Sequence, residues 1–455
     1  MRTNILFITA DDMEGTTPGV FGGAGDVTPA LDMLAAEGMI FGRAHVAVAV
    51  CQPSRSAIMT GLWPHRNGAE GFEPIHDGVP VLTEKLAEVG YVTGILGKVN
   101  HLQPVERFGW DTVVEMRELG LGRDPGRYAA ETARFLANTD GRPWFLMVNA
   151  HDPHRPFHGA DDERRAFGDA AAAIPRPSKV FSPDGPAATP PAYLPDLPEV
   201  RQEYAEYLSS ARRCDDVVGA VLGELEASGE AESTLVVFLS DNGMAFPFSK
   251  ANCYLQSTRT PLIVRWPGVV AAGSIEGDRF LTMLDLFPTF CEAAGVEAGD
   301  IDGESLVPVL QGSPSLPART HVVTVFHETA GKGRYEMRCV QDARHGYIWN
   351  GWADDETDYR AENMAGLTWP AMVEAADRDE AIAARVGFYL KRRREELYDL
   401  RADPAGLHDL SNDPRSAAAL AAARRALRTW MTETSDPLLE LYDAHTGGAA
   451  SAAKG

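Results

Sequence analysis

The hydrophobic positions in the first half of the chain are concentrated in four uninterrupted apolar runs. They cover residues 4–10, 91–96, 144–150 and 235–240. A strand with one face in water alternates apolar and polar residues, whereas consecutive apolar residues are typical of a strand covered on both faces. Such strands occur mainly in parallel sheets, so the pattern predicts a large α/β unit built on a mostly parallel sheet.

Stretches with helical spacing separate these runs. Residues 30–37 and 127–138 form two short amphipathic segments, and residues 201–227 form a longer one. Each places apolar side chains on one helical face, as expected of helices that pack against a sheet. The alternation of strands and helices predicts a sheet sandwiched by helices.

The pattern changes after a segment rich in Gly, Pro and Ser at residues 312–318. Beyond it, apolar and polar residues alternate as in antiparallel strands, in the runs 321–326, 335–341 and 345–350. A length of 455 residues also exceeds one ordinary core. We therefore predict a large domain at 1–318, a smaller C-terminal α+β domain with an antiparallel sheet at 319–445, and a disordered tail at 446–455.

Composition and charge narrow the classes of partner. The formal net charge is -23, which disfavours nucleic acid and an anionic membrane surface as partners. We interpret the basic run at residues 391–394 as a solvated helix end. No apolar run has membrane-spanning length, and the first run is too short for a secretory signal. We therefore expect a cytoplasmic protein.

The cysteines give no sign of a disulfide framework or a zinc site. Their number is odd, they are scattered, and no Cys-x-x-Cys pair occurs. They are Cys51, Cys214, Cys253, Cys291 and Cys339.

Each apolar run ends in residues able to do chemistry. These residues are Asp11 and Asp12, Lys98 and His101, His151 and His154, and Asp241 and Asn242. Sites in open α/β sheets form at the carboxyl ends of the strands, so we expect all of them on one rim. The two acidic pairs offer only oxygen ligands, which suits a hard cation such as calcium or magnesium rather than zinc.

Cys51 opens the motif Cys-Gln-Pro-Ser-Arg at residues 51–55, with Thr60-Gly61 behind it. Pro53 suits a first helical turn, which places Cys51 at a helix N-terminus, where backbone N–H groups favour an anion. Taken alone, the pentapeptide leaves open a buried structural cysteine before a helix. The motif resembles the maturation signature of the type I sulfatases, a family of the alkaline phosphatase superfamily.

The resemblance implies that a maturation enzyme oxidises Cys51 to formylglycine. The hydrated aldehyde would attack sulfur with one oxygen and later release sulfate by deprotonation of the other. It also implies an alkaline phosphatase-like fold and a metal site. The implied ligands are Asp11, Asp12, Asp241, Asn242 and residue 51, with calcium as the usual ion and Mg²⁺ or Mn²⁺ as alternatives.

Further roles follow from the same resemblance. Arg55, Lys98 and Lys250 would hold the developing negative charge. His101 would take the proton that lets sulfate leave, and His151 would assist the leaving group. The remaining expected contacts are with substrate and involve Asn100, His154 and Arg155. Asn100 stands where the family most often has a histidine, two residues after the lysine.

Several segments narrow the resemblance to the N-sulfoglucosamine sulfohydrolase branch (heparan N-sulfatase, sulfamidase). They are residues 151–155, 241–244, 250–252, 327–329 and 337–338. We predict a hydrolase of sulfate esters or sulfamates that acts on a sulfated small molecule or saccharide. The protein could form a homodimer.

Two other functions fit the same residues. A phosphodiester or phosphonate monoester hydrolase would use the same scaffold, because the geometries at phosphorus and sulfur are similar. A non-catalytic binding protein would leave Cys51 unconverted.

Overall fold

The computed structural model of the protein describes residues 2–313 and 319–447. Its strands are β1 (Asn4–Ala10), β2 (Met39–Phe41), β3 (Ala44–His45), β4 (Val92–Leu96), β5 (Thr112–Val114), β6 (Trp144–Asn149), β7 (Thr234–Ser240), β8 (Leu262–Arg265), β9 (Ser274–Glu276), β10 (Leu281–Thr282), β11 (His321–Glu328), β12 (Arg334–Asp342), β13 (His345–Asn350) and β14 (Glu395–Asp399). Its α-helices are α1 (Pro29–Glu37), α2 (Cys51–Thr60), α3 (Pro64–Asn67), α4 (Leu82–Glu88), α5 (Pro125–Ala137), α6 (Asp161–Phe167), α7 (Pro198–Ser228), α8 (Leu255–Thr258), α9 (Leu286–Ala294), α10 (Val307–Leu310), α11 (Thr368–Ala375), α12 (Glu380–Leu390), α13 (Ala417–Glu433) and α14 (Leu439–Thr446). None of these helices is long and apolar enough to cross a membrane.

The large sheet has eight strands in the order β5-β4-β6-β1-β7-β8-β2-β9. The five strands from β5 to β7 are mutually parallel, and β8 runs antiparallel to β7. The four predicted apolar runs are β4, β6, β1 and β7, which lie side by side. Their carboxyl ends therefore share one rim, as predicted from the sequence.

The central strands are covered on both faces, which explains their uninterrupted apolar sequence. Along β1, Leu6 and Ile8 belong to one hydrophobic core, and Ile5 and Phe7 belong to the other. Helices α1, α5 and α7 supply side chains to the first core, while α2, α4 and α9 supply the second. The predicted α/β fold with a mostly parallel, helix-covered sheet is confirmed.

The last part of the chain forms a separate four-stranded antiparallel sheet in the order β11-β12-β13-β14. The three predicted runs are β11, β12 and β13, whereas β14 was not predicted. The antiparallel sheet is thus confirmed. The proposed domain boundary at 318 and most of the predicted tail lie outside the described residues, and the division into two domains stays a prediction.

A buried ion pair in this smaller sheet predicts a stability effect. Arg338 of β12 donates from Nε to Asp436 Oδ2 at 2.6 Å and from Nη2 to Asp436 Oδ1 at 3.2 Å. Removing one partner leaves an uncompensated buried charge, which costs about 3–5 kcal/mol. We expect Arg338→Met to lower the free energy of unfolding in urea by about 3 kcal/mol.

The matched control is Arg415→Met, since Arg415 pairs with Asp413 while remaining 89% exposed. Solvent screens this pair, so we expect no measurable change in the urea midpoint. Equal effects of the two substitutions would contradict the importance assigned to the buried pair.

Candidate active site

Cys51 is the first residue of α2, and its side chain lies among charged groups at the rim of the large sheet. Its Sγ lies 3.3 Å from Asp11 Oδ1 and 3.9 Å from Asp12 Oδ1. Lys250 Nζ donates to the same sulfur at 3.0 Å. Burial, reinforced by the charge of Asp11, raises the pKa of the Cys51 thiol well above its ordinary value. Cys51 is therefore part of the rim cluster.

The two acidic pairs meet because their strands are neighbours in register. Ala10 of β1 pairs with Ser240 of β7, so the residues that follow these two strands emerge together. The Asp12 backbone N–H donates to Asp241 Oδ1 at 3.1 Å, and Asn242 Nδ2 donates to Asp12 Oδ1 at 2.6 Å. Asp12 has a positive φ of 67°, a conformation that non-glycine residues adopt at a cost.

This cluster has the donors that a hard cation requires. Oxygen atoms of Asp11, Asp12 and Asp241 all lie within 4.8 Å of one another. Asp12 Oδ2 and Asn242 Oδ1 are buried and accept no hydrogen bond. Buried acceptors are normally satisfied, and oxygen is the ligand that calcium and magnesium prefer. The residues present therefore fit a divalent metal ion.

Three cations compensate the three carboxylates one by one. Lys98 contacts Asp11 Oδ2, Lys250 Nζ lies 2.6 Å from Asp12 Oδ1, and Arg55 Nη2 lies 2.7 Å from Asp241 Oδ2. Burial by itself would raise the pKa of Asp11, but the cations, Lys98 foremost, hold that pKa well below its ordinary value. Burial and the charge of Asp11 together raise the pKa of Asp241 to about 7.

Arg55 is held by two residues that the sequence analysis missed. Its Nη1 donates to Thr9 Oγ1 at 2.9 Å and to Asn149 Oδ1 at 2.5 Å. Thr9 of β1 and Asn149 of β6 are partners in the parallel register. Both are polar residues near the end of a buried apolar strand, a signal that could have identified them.

The predicted histidines lie on the same rim. His151 Nδ1 is 3.6 Å from Asp11 Oδ2, and His154 Nε2 is 3.9 Å from Asp12 Oδ2. Burial, followed by the charge of Lys98, lowers the pKa of His151 and of His101 well below the ordinary value. His101 lies in the short 3₁₀ turn Val99–His101 that follows Lys98. The structure thus brings His151 and His154 to the acidic cluster and keeps His101 beside Lys98.

Two buried arginines that were not predicted support the segment carrying these histidines. Asp152 accepts hydrogen bonds from Arg123 Nε at 3.1 Å and from Arg213 Nε at 2.6 Å. All three side chains are buried. This arrangement fixes the backbone between His151 and His154.

The structure does not bring every predicted residue into the cluster. Arg155 donates to Glu203 and to the carbonyl oxygen of Ala245, and it stacks on Phe157 with its Cζ 4.4 Å from the ring centre. Asn100 is exposed. Contact of these two residues with substrate stays a prediction, and Arg155 already has a structural partner.

Comparison of the sequence with known proteins gives the family. Residues 3–296 match the model of the sulfatase family, and residues 244–349 match the model of the C-terminal region of N-sulphoglucosamine sulphohydrolase. The chain belongs to the sulfatase family. It is a hydrolase of sulfate esters or sulfamates.

Individual relatives make the comparison more specific. The chain is 31% identical to human N-sulphoglucosamine sulphohydrolase over an alignment 467 positions long, gaps included, which covers 95% of this chain and 91% of the relative. A protein solved in complex with its substrate D-glucosamine-2-N,6-O-disulfate has the same fold, with a TM-score of 0.70, 20% identity and coverage of 96% and 99% of the two chains. The phosphonate monoester hydrolase of Agrobacterium radiobacter also shares the fold, with a TM-score of 0.69, 21% identity and coverage of 95% and 96%.

Proposed function

We propose that this sulfatase removes the sulfate group from a sulfated amino sugar, with an N-sulfo group as the preferred target. Catalysis would use a formylglycine derived from Cys51 and a divalent cation, for which calcium is the first choice. The observation that carries the proposal is the position of Cys51, whose Sγ contacts both Asp11 Oδ1 and Lys250 Nζ. The thiol occupies the place where the oxygens of the converted side chain would stand.

The metal would be held by Asp11, Asp12, Asp241 and Asn242, together with an oxygen of converted residue 51. When bound, a divalent cation supplies positive charge that attracts an anionic sulfuryl group and stabilises the charge that develops during its transfer. The three carboxylates are already balanced by Lys98, Lys250 and Arg55. The charge of the ion would therefore be left for the substrate.

The converted side chain would supply the nucleophile, since a hydrated aldehyde has one hydroxyl for attack and another for release of sulfate. Its position at the N-terminus of α2 places it where backbone N–H groups favour an anion. Arg55 fixes this geometry through Asp241, Thr9 and Asn149.

The other site residues would move protons and hold oxygens. Lys98 and Lys250 stand on two sides of the acidic cluster and would each bind a sulfuryl oxygen. His151, buried with its Nδ1 facing Asp11, would assist the leaving amine or alcohol together with Lys250. We assign His101 the removal of the proton that accompanies sulfate release.

An N-sulfo sugar is favoured as substrate by the extent of the match to the human relative, which spans nearly the whole of both chains. The match to the C-terminal model of the same enzyme supports the same choice. The likeness to the phosphonate monoester hydrolase, at 21% identity, supports the fold and does not choose the substrate. A phosphodiester or phosphonate monoester is therefore the alternative substrate class.

A substrate panel tests the proposal. With purified, matured enzyme and calcium, we expect kcat/KM for glucosamine N-sulfate to exceed that for glucosamine 6-sulfate, an aryl sulfate and a phosphonate monoester by roughly 10–200-fold, the range that a few pocket contacts supply. Release of sulfate or phosphonate is measured by ion chromatography. Fastest turnover of the phosphonate monoester would instead support the alternative.

A further inference from the structure

The loop that carries Lys250 is strained. Phe248 and Ala251 flank the lysine, with φ values of 65° and 62°. Neither residue is glycine, and a side chain in this left-handed region costs free energy that the surroundings must offset. Lys250 itself is buried with its Nζ directed at Asp12 and Cys51. Its position therefore depends on whatever holds the backbone of this loop.

Hydrogen bonds hold the backbone of Lys250 and Ala251 on both sides. Their N–H groups donate to the carbonyl oxygens of Met244 at 3.1 Å and Ala49 at 2.9 Å, and their own carbonyl groups accept from side chains. The carbonyl oxygen of Lys250 accepts from Asn252 Nδ2 at 3.0 Å and from Asn363 Nδ2. The carbonyl oxygen of Ala251 accepts from the hydroxyl of Tyr359. Asn363 and Tyr359 come from the segment between β13 and α11, more than a hundred residues further along the chain.

Arg392 connects the residues that contact the Lys250 loop. It lies between α12 and β14, in the basic run at residues 391–394 that was interpreted as a solvated helix end. That interpretation is wrong for Arg392, because the residue is only 2% exposed. Its Nη2 donates to Asn252 Oδ1 at 2.7 Å, and its Nη1 donates to Tyr254 Oη at 2.6 Å. Asn252 is thereby oriented so that its amide N–H₂ group points at the Lys250 carbonyl.

Aromatic rings enclose the same guanidinium. Its Cζ lies 4.6 Å from the ring centre of Tyr389, 4.9 Å from that of Tyr359 and 5.1 Å from that of Tyr254. Tyr389 also donates through its hydroxyl to Asn363 Oδ1 at 2.8 Å, so both asparagines that contact Lys250 are oriented by this cage. The Tyr254 hydroxyl that accepts from Arg392 donates in turn to the buried carboxylate of Glu396, to Oε2 at 2.9 Å, so Arg392 reaches this charge through a tyrosine.

A buried arginine that reaches a carboxylate only through a tyrosine hydroxyl is costly to keep for stability alone. From its contacts we infer that Arg392 is a positioning residue for Lys250. It fixes Asn252, and through the tyrosine cage Asn363, so that the strained loop keeps Lys250 Nζ against residue 51. The inference rests on the proposed function only for its kinetic consequence, whereas the loop restraint itself can be measured without any activity.

The first experiment is Arg392→Ala with chemical rescue. We expect kcat/KM on the best sulfated substrate to fall roughly 100-fold, the effect of displacing a reacting group by about 1 Å. Millimolar guanidinium chloride should occupy the vacated cage and restore a large part of the activity. The control is Arg393→Ala, at the next residue, whose side chain is 52% exposed and pairs with Asp409 outside the cage. Guanidinium should not raise its activity.

The second measurement does not depend on turnover. Hydrogen exchange of the peptide that covers residues 248–253 should be faster in Arg392→Ala than in the parent, and guanidinium should slow it again. If Arg392→Ala does not fold, Tyr359→Phe keeps the ring and removes only the hydrogen bond to Ala251. It should show the same acceleration and a several-fold loss of kcat/KM.

The possible outcomes distinguish failure of the positioning role of Arg392 from failure of the proposed sulfatase function. A folded Arg392→Ala protein with unchanged exchange at 248–253 and unchanged kcat/KM overturns the positioning role. Where that variant does not fold, unchanged exchange and kcat/KM in Tyr359→Phe overturn the restraint of the loop by the cage. A parent protein that hydrolyses no sulfated substrate refutes the proposed function, and in that case the exchange measurement still decides whether Arg392 restrains the loop.

Discussion

Replacement of Cys51 by alanine is expected to reduce kcat/KM for sulfate release by roughly 10⁴-fold or more, the loss typical of a removed nucleophile. The side chain lies at the N-terminus of α2, 3.3 Å from Asp11 and 3.0 Å from Lys250. Alanine leaves the helix, the acidic cluster and the cations in place. The loss should therefore appear in kcat without a comparable loss of stability in thermal unfolding.

Cys214→Ala is the matched control, because Cys214 is also a fully buried cysteine but belongs to the core around α7. Its kcat/KM should remain close to that of the parent. Mass spectrometry of the peptide carrying residue 51 tests the conversion itself, since conversion of cysteine to formylglycine lowers the mass by about 18 Da. Active, natively expressed protein with only the unmodified thiol would refute the formylglycine mechanism.

Removal of divalent metal is expected to abolish turnover and to destabilise the protein. Asp12 Oδ2 and Asn242 Oδ1 are buried without hydrogen-bond donors, so an ion that binds them stabilises the folded state. At a free calcium concentration 100 times the Kd, the gain is about 2.7 kcal/mol. We expect chelation to eliminate sulfate release, calcium to restore it, and the thermal midpoint to rise with calcium concentration.

Asp241→Asn tests whether this response arises at the acidic cluster. The substitution removes a ligand charge, so activity and the calcium-dependent rise in the thermal midpoint should both be largely lost. Asp278→Asn is the control, because the Asp278 side chain is 98% exposed and outside the cluster. Full activity in protein that elemental analysis finds free of divalent metal would contradict the proposed metal site.

The assembly of the cluster followed from simple rules. Two acidic pairs, a lysine and three histidines each follow an apolar run, and parallel neighbouring strands end on one side of a sheet. Ala10 pairs with Ser240, and Thr9 pairs with Asn149. Because of this backbone pairing, the polar residues that follow these strands lie close together. The position of Cys51 at a helix N-terminus followed from the local sequence, with Pro53 in the first turn.

Other contacts could not be predicted in this way. Arg155 follows His154 in the chain, yet it turns to Glu203 of α7, because the packing of α7 offers a buried carboxylate there. Arg392 belongs to a run of four basic residues, and the environment of each depends on how the chain turns between α12 and β14.

The sequence by itself determined the four central strands of the large sheet, the rim on which their polar ends meet and the kinds of atom gathered there, because these depend on local periodicity and on the geometry of a parallel sheet. Only the tertiary structure decided which cation faces which carboxylate and which distant side chains hold the Lys250 loop. Those pairings join segments such as 250–252 and 359–392. They form through packing of whole elements against one another, and no local pattern of hydrophobic and polar residues encodes that packing.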